Sequence, residues 1–456
     1  MAVALPEEFI QRLHGQMGTS MLKFVDALRQ DPVLSVRMNT HKQAEPHWEG
    51  VEQVPWCPTG YYLTQKPLYT LDPLFHAGCF YPQEASSMVL DWLVRHVCDL
   101  PERPVVLDLC GAPGGKSTLL ASILDGQGLL VANEVIKSRA SILAENVSKW
   151  GFANCVVTRS DPSKFTGLNS MFDLMVVDAP CSGEGMFRKD DRAIEEWSAA
   201  NAQMCALRQQ RILTDAWPAL KLGGCLVYST CTFNPSENEE NMAWMAEELG
   251  AEVLPLNVPE DWGVVSIAAG NGNGLAFYPH KVRGEGFFVA VLRKTAEEKA
   301  LPSAKRRDKK SAQTKTPQEV NALLSDSRPW HFQEERDGWC AFPKDLGFEL
   351  AVLQQSLDVQ SYGVLLGKPM KGQWIPAHGL AISINMNPSA FPRLDLSLNE
   401  ALHYLKGEAL TAPDGLSVGY ILITYKGVPM GFAKNIGKRL NNLYPSSWRI
   451  RMSLPQ

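Results

Sequence analysis

Between residues 105 and 293, short apolar runs bounded by glycine, proline and small polar residues alternate with stretches whose apolar positions recur at helical spacing. That alternation predicts an α/β fold: a parallel sheet covered by helices on both faces. The runs at 105–110, 129–134, 155–160, 173–178 and 225–230 read as its strands. Ala85, Met88, Val89, Trp92 and Leu93 fall at i, i+3, i+4, i+7 and i+8, which predicts a helix starting at Gln83 and Glu84 and covering one face. LAFYPH at 275–280 and GFFVAVLRK at 286–294 read as a final antiparallel pair. No internal repeat is evident.

Outside that region the pattern is less regular. A length of 456 residues allows two to four domains. With 45% hydrophobic and 20% charged residues, the composition is that of an ordinary globular protein. The N-terminus has no basic segment leading into an apolar core, and no apolar run approaches the ~20 residues that span a bilayer. A cytoplasmic protein with no membrane contact is expected. The ten cysteines include no CxxC pair and no zinc-ligand spacing, so free thiols and no metal are expected.

A formal net charge of -5 argues against a uniformly basic nucleic-acid binder but leaves local patches open. No acidic residue follows Asp414, whereas Lys426, Lys434, Lys438, Arg439, Arg449 and Arg451 do, among Tyr420, Tyr425, Phe432, Tyr444 and Trp448. Lys305, Arg306, Arg307, Lys309, Lys310 and Lys315 lie without apolar periodicity between Pro302 and Pro317 and read as a linker.

VVLDLCGAPGGKS, residues 105–117, is a strand entering a glycine-rich turn and then a helix. Glycines allow close approach of a ligand, and free amides at a helix start favour an anionic group such as a carboxylate. Glu134 ends the next strand 19 residues after Gly115, where a carboxylate can accept hydrogen bonds from ribose hydroxyls. Together they point to a nucleoside cofactor. The rival is a phosphate-binding P-loop, because Gly115-Lys116-Ser117 matches the end of its pattern. That pattern needs glycine at 110, where this chain has Cys110, and Pro113 removes an amide a phosphate cradle would use. A structural glycine turn would leave Glu134 unexplained.

Two further turns follow predicted strand ends: DAPCSGEGMFRKD from Asp178, and YSTCTFNPSENEEN carrying Cys231. Open α/β sheets bind ligands at that edge, so chain order brings Cys110, Asp178, Cys181 and Cys231 near one crevice. Cys57, Cys79, Cys98, Cys155, Cys205, Cys225 and Cys340 read as small buried hydrophobes. Cys181 and Cys231 instead sit in polar turns, where a thiolate can meet backbone donors and substrate. Carbon 5 of a pyrimidine is a poor nucleophile. A thiolate adding to carbon 6 activates it, and a second group must take the carbon 5 proton so that the thiolate can leave. Two cysteines and an acid suit that chemistry.

Asp108-Leu109-Cys110-Gly111-Ala112-Pro113-Gly114-Gly115-Lys116, Asp178-Ala179-Pro180-Cys181-Ser182-Gly183 and Ser229-Thr230-Cys231-Thr232 resemble, in residues and order, the bacterial RNA cytosine-C5 methyltransferases of the Nop2/Sun group. The C-terminal extension and FYPQEASSM at 80–88 resemble its RsmF type, which modifies 16S ribosomal RNA.

The resemblance implies a class I methyltransferase with a Rossmann-like seven-stranded sheet and S-adenosyl-L-methionine as cofactor. It implies Cys231 as nucleophile, Cys181 assisting product release and Asp178 on the cytosine ring. Cys181 is the runner-up nucleophile, because DNA cytosine methyltransferases use the Pro-Cys cysteine. Cofactor contacts carry over to Cys110, Gly111, Ala112, Pro113, Gly114, Gly115, Lys116, Glu134, Arg139, Asp161 and Asp178.

The expected layout is an N-terminal RNA-binding region at 1–80, a catalytic domain at 81–295, a basic linker at 296–320 and a PUA-like α+β module at 321–456. Ser35-Val36-Arg37-Met38-Asn39-Thr40 resembles the group's N-terminal Arg/Asn element. RNA contacts are expected from Arg188, Lys189, Arg192 and the basic tail, against the alternative of ordinary surface charge and core aromatics. The expected partner is 16S ribosomal RNA or the 30S subunit, acted on by a monomer. A transfer-RNA substrate and a non-catalytic RNA-binding assembly factor are the alternatives.

Overall fold

A computed structural model describes residues 4–296, 317–325 and 328–454, so the basic cluster at 305–315 lies outside the described residues. The catalytic sheet contains β1 Val105–Asp108, β2 Leu129–Asn133, β3 Cys155–Thr158, β4 Phe172–Asp178, β5 Leu220–Thr230, β6 Gly272–Phe277 and β7 Phe287–Lys294. These seven lie in the order 3-2-1-4-5-7-6. The first five are mutually parallel. β7 runs antiparallel to β5, and β6 antiparallel to β7. The chain reverses its direction of winding between β1 and β4, which opens a crevice at their carboxyl ends.

Both faces of the sheet are covered. On one side Met88, Val89 and Leu93 join Leu119, Leu120 and Leu143 over Val106, Leu130 and Val176. The helix carrying Val89–His96 starts later than its periodicity predicts, after a 3-10 turn at Ser86–Met88. The Glu84 carboxylate caps that turn, accepting from the Ser86 and Ser87 amides at 2.9 and 2.8 Å. On the other side Ile212, Leu213 and Ala216 pack with Phe165, Leu107 and Val177.

Three strands extend the sheet beyond seven. Ala251–Val253 pairs with β7, Val265–Ala269 with β6, and Val359–Tyr362 runs antiparallel along the outer edge of β3. The last belongs to the C-terminal part of the chain, whose helix Gly347–Ser356 also buries Leu350 and Leu353 in the second catalytic core.

The flanking regions share cores with their neighbours. Helices Glu7–Met17 and Met21–Leu28 bury Phe9, Leu13 and Phe24 against Phe187, Trp197 and Phe233, on the two cysteine turns. A four-stranded sheet containing Ser35–Met38 and Phe80–Pro82 packs Val36, Met38 and Phe80 with Tyr404 and Leu405 of helix Leu398–Leu405 and with Ile421 and Met430 of the C-terminal five-stranded sheet. Among the described residues no helix is long and apolar enough to cross a membrane.

Candidate active site

β1 delivers the chain into the turn Leu109–Gly114 at the carboxyl edge. A Cβ on Gly111 would lie 2.8 Å from Ser117 Oγ, so only glycine fits there. Gly114 has φ of 119°, the left-handed conformation glycine tolerates, and it releases helix Gly115–Leu124 with no side-chain cap. Asn133 at the end of β2 braces the turn, donating to Leu109 O at 3.1 Å while its carbonyl accepts from Gly111 N at 2.8 Å. Glu134 is buried, with Oε2 3.4 Å from Arg139 Nη1, and Arg139 Nη2 donates to Ala112 O at 3.0 Å. Asn133 and Arg139 thus tie the glycine turn to the residues around the end of β2. Asp161 follows β3 on the same edge, where hydrogen bonds from Ser163 hold its carboxyl below the usual range.

Lys116 leaves this turn toward the cysteines. Its Nζ lies 2.9 Å from Asp178 Oδ2 and 5.1 Å from the centre of the Phe287 ring. Burial works against the ammonium, but Asp178, aided by Asp108 and Cys231, outweighs it and holds the pKa above its ordinary value. Asp178 Oδ1 accepts from Ser229 Oγ at 2.8 Å.

The turns after β4 and β5 are stapled together. Ala179 N donates to Ser229 O and Gly185 N to Cys231 O, each at 2.8 Å, and the hydroxyls of Ser182 and Thr232 stand 2.9 Å apart. Cys181 Sγ consequently lies 2.9 Å from Cys231 Sγ and accepts from the Cys231 amide at 3.3 Å. The hydrogen bond with Cys231 and burial push the Cys181 thiol well up. Burial also pushes the Cys110 thiol up, reinforced by Asp108, Asp178 and Glu134. Cys110, Cys181 and Cys231 are half-buried, whereas the other seven cysteines are buried.

Several residues that position these turns are not among the candidates taken from the sequence. Glu184 is fully buried, receiving Arg12 Nη2 at 2.6 Å, Trp197 Nε1 at 2.9 Å and Phe233 N at 3.1 Å. Glu237, also fully buried, accepts from Ser182 N at 2.9 Å, Ser182 Oγ at 2.5 Å and Gln209 Nε2 at 2.9 Å. The one signal was position: Glu184 follows Cys181 by three residues and Glu237 follows Cys231 by six.

The Arg/Asn element is internal: Arg37 is buried, donating to Gln83 Oε1 at 2.8 Å and Thr118 Oγ1 at 2.6 Å, and Asn39 donates to Gly78 O and Trp150 O. Some of the expected RNA contacts are internal too. The Arg188 side chain is 3% exposed, with Nε 3.2 Å from Glu285. Phe432 and Tyr444 are core residues. Arg192, Lys426, Lys438, Arg439 and Arg451 remain exposed, and Lys434 and Lys426 lie over the rings of Tyr420 and Tyr425. A cleft of about 800 Å³ lies apart from Cys181 and Cys231, between helix Lys137–Trp150 and the C-terminal strands.

The 3-2-1-4-5-7-6 order, with a glycine turn at β1 and an acid closing β2, defines a class I methyltransferase. Residues 96–293 match the model described as 16S rRNA methyltransferase RsmB/F. Residues 5–85 match the N-terminal domain of 16S rRNA methyltransferase RsmF, and 391–450 match the methyltransferase RsmF PUA domain. Ribosomal RNA small subunit methyltransferase F of Cronobacter sakazakii is 33% identical, over 97% of this chain and 96% of its own. Its namesake in Aliivibrio fischeri is 32% identical over 97% of each.

A solved methyltransferase homolog protein from Pyrococcus horikoshii is 30% identical with a TM-score of 0.54, covering 63% of this chain and 95% of that one. NSun6 from Pyrococcus horikoshii, 23% identical with a TM-score of 0.54 over 64% of this chain and 99% of its own, shares the fold. The chain belongs to the RsmF family of 16S ribosomal RNA methyltransferases.

Proposed function

We propose that this protein methylates carbon 5 of cytosine in 16S ribosomal RNA, with S-adenosyl-L-methionine as donor and Cys231 as the attacking thiolate. The observation that carries the reading is the pair of half-buried sulfurs, 2.9 Å apart, beside Asp178 at the edge of the glycine turn. The donor's fit rests on the uncapped start of helix Gly115–Leu124 and the acid at 134. The turn 110–116 and that helix start would hold its methionine moiety, Glu134 its ribose and Asp161 its adenine, with Arg139 fixing Ala112. When bound, S-adenosyl-L-methionine supplies an electrophilic methyl group.

The Cys231 thiolate adds to carbon 6, and the displaced π pair makes carbon 5 nucleophilic toward that methyl. Asp178 meets the amidine edge of cytosine and stabilises positive charge at nitrogen 3, which eases the addition. After transfer the C5–H bond breaks with its proton passing to a base assisted by Cys181, the electron pair restores the C5–C6 double bond, and the S–C6 bond releases Cys231. The target base must leave its stack to reach the crevice. Exposed Lys426, Lys438 and Arg439 on the C-terminal module supply phosphate contacts.

The names of the relatives favour small-subunit ribosomal RNA over transfer RNA as substrate, and the two accessible thiols favour turnover over a purely binding role. Incubation with methyl-labelled S-adenosyl-L-methionine and either naked 16S ribosomal RNA or 30S subunits, followed by nucleoside analysis, tests the reading. Label in 5-methylcytidine is expected. Label on a ring nitrogen, on ribose or in transfer RNA alone would overturn it.

A further inference from the structure

Two thiols 2.9 Å apart pose a question of assignment, since the sulfur that surrenders its proton is the one that attacks. Neither the distance nor the exposure separates them, because both residues are half-buried. What differs is the charge behind each sulfur. Cys231 faces the Lys116 ammonium, which its thiolate helps to hold in the charged form. Cys181 is followed directly by Ser182, whose amide and hydroxyl both bind Glu237.

The two buried acids under these turns are not equivalent. Glu184 is neutralised by Arg12 at 2.6 Å. Among the described residues Glu237 has no cationic partner; its donors are Ser182 and Gln209, and Gln209 Nε2 also reaches Pro180 O at 3.0 Å. Burial pushes the Glu237 carboxyl up, while the three hydrogen bonds from Ser182 and Gln209 oppose that shift and favour its charged form. The remaining ionisable groups around Cys181 are Cys231, Asp178, Cys205 and the buried phenol of Tyr228, which donates to Glu237 O at 2.6 Å. Each of these is neutral or negative; Arg208 acts on Cys205, and Lys116, on the Cys231 side, offers a thiolate there a counter-charge.

We propose that Glu237 is a positioning residue that assigns the nucleophilic thiolate to Cys231: it clamps the Pro180–Ser182 turn and sets a buried negative charge behind Cys181, so the proton shared by the two sulfurs stays on Cys181. This rests on the reading of Cys231 as nucleophile, but it is testable without RNA. The hydrogen bond with Cys231, burial and, to a smaller extent, Glu237 all push the Cys181 thiol up.

The test is the pH dependence of alkylation by iodoacetamide, resolved by peptide mass spectrometry. In the wild-type protein Cys231 reacts faster than Cys181 at neutral pH; equal rates, or a faster Cys181, overturn the proposal. In a Cys231→Ser background, Glu237→Gln moves the midpoint of Cys181 alkylation down by on the order of one pH unit, and Glu237→Asp, which keeps the charge, leaves it near the starting value. A midpoint unmoved by Glu237→Gln, or moved equally by Glu237→Asp, overturns it. With RNA carrying 5-fluorocytosine, which blocks release, Glu237→Gln also yields adducts at Cys181 that the wild type lacks. If the alkylation results hold while no RNA adduct forms on either sulfur, the cytosine mechanism fails and the electrostatic assignment stands.

Discussion

The Lys116 ammonium stands 2.9 Å from Asp178 Oδ2, so a residue of the cofactor turn touches the acid that opens the first cysteine turn. This ion pair joins the glycine turn to the first cysteine turn. Asp178 ends β4 and Lys116 lies in the first turn of the helix that follows β1, and the parallel register fixes those two strands side by side. Replacing Lys116 by Met removes the cation that steadies both Asp178 and a Cys231 thiolate. Single-turnover methyl transfer should fall by about 100-fold or more, the usual cost of losing one preorganised charge in a site. A rate within threefold, roughly, of wild type would show that the pair is ornamental.

Arg37 joins the N-terminal sheet to the cofactor helix. It is fully buried, binds Gln83, Thr118 and Gly115 O, and stacks 4.5 Å above the Trp150 ring. Arg37→Ala leaves buried acceptors unmet and opens a void, and should cost about 3 kcal/mol in urea unfolding. Arg37→Lys should rescue little, because an ammonium cannot reproduce the guanidinium fork. Unchanged unfolding midpoints for both variants would remove the interdomain role.

Asp108 gives the fold a pH dependence. Burial raises its carboxyl from 3.8 to about 7, against the opposing hydrogen bond from Ser117. Between those two values the folded state holds a proton that the unfolded chain has released, so stability decreases as pH rises through the window and levels off above about 7. The full effect is on the order of 4 kcal/mol. Asp108→Asn, which keeps an acceptor for Ser117, should abolish that component and be more stable than wild type at pH 8, roughly. Parallel stability curves for the two proteins from acid to neutral pH would rule it out.

What the sequence disclosed depended on the range of each interaction. The strands of the sheet are visible because their apolar runs are local, and so is the division of cysteines between apolar runs and polar turns. Arg37, Arg188 and Glu237 were opaque for the opposite reason. A lone charge in a sequence reads as surface, and the partner that permits its burial lies far along the chain, as Thr118 lies 81 residues from Arg37. The strand Val359–Tyr362 was hidden likewise, because its partner, the edge of β3, lies about 200 residues away along the chain. Phe432 and Tyr444 looked like stacking platforms because aromatics beside basic residues serve binding faces and cores equally well.

The most direct measurement of the covalent mechanism is a denaturing gel of protein incubated with 16S ribosomal RNA and S-adenosyl-L-methionine. Cys181→Ser should accumulate an RNA-linked band, since addition proceeds and elimination stalls. Cys231→Ser and the double substitution should give no such band. A Cys181→Ser protein that turns over freely without a linked species, or a linked band that survives loss of Cys231, would contradict the roles assigned to the two sulfurs.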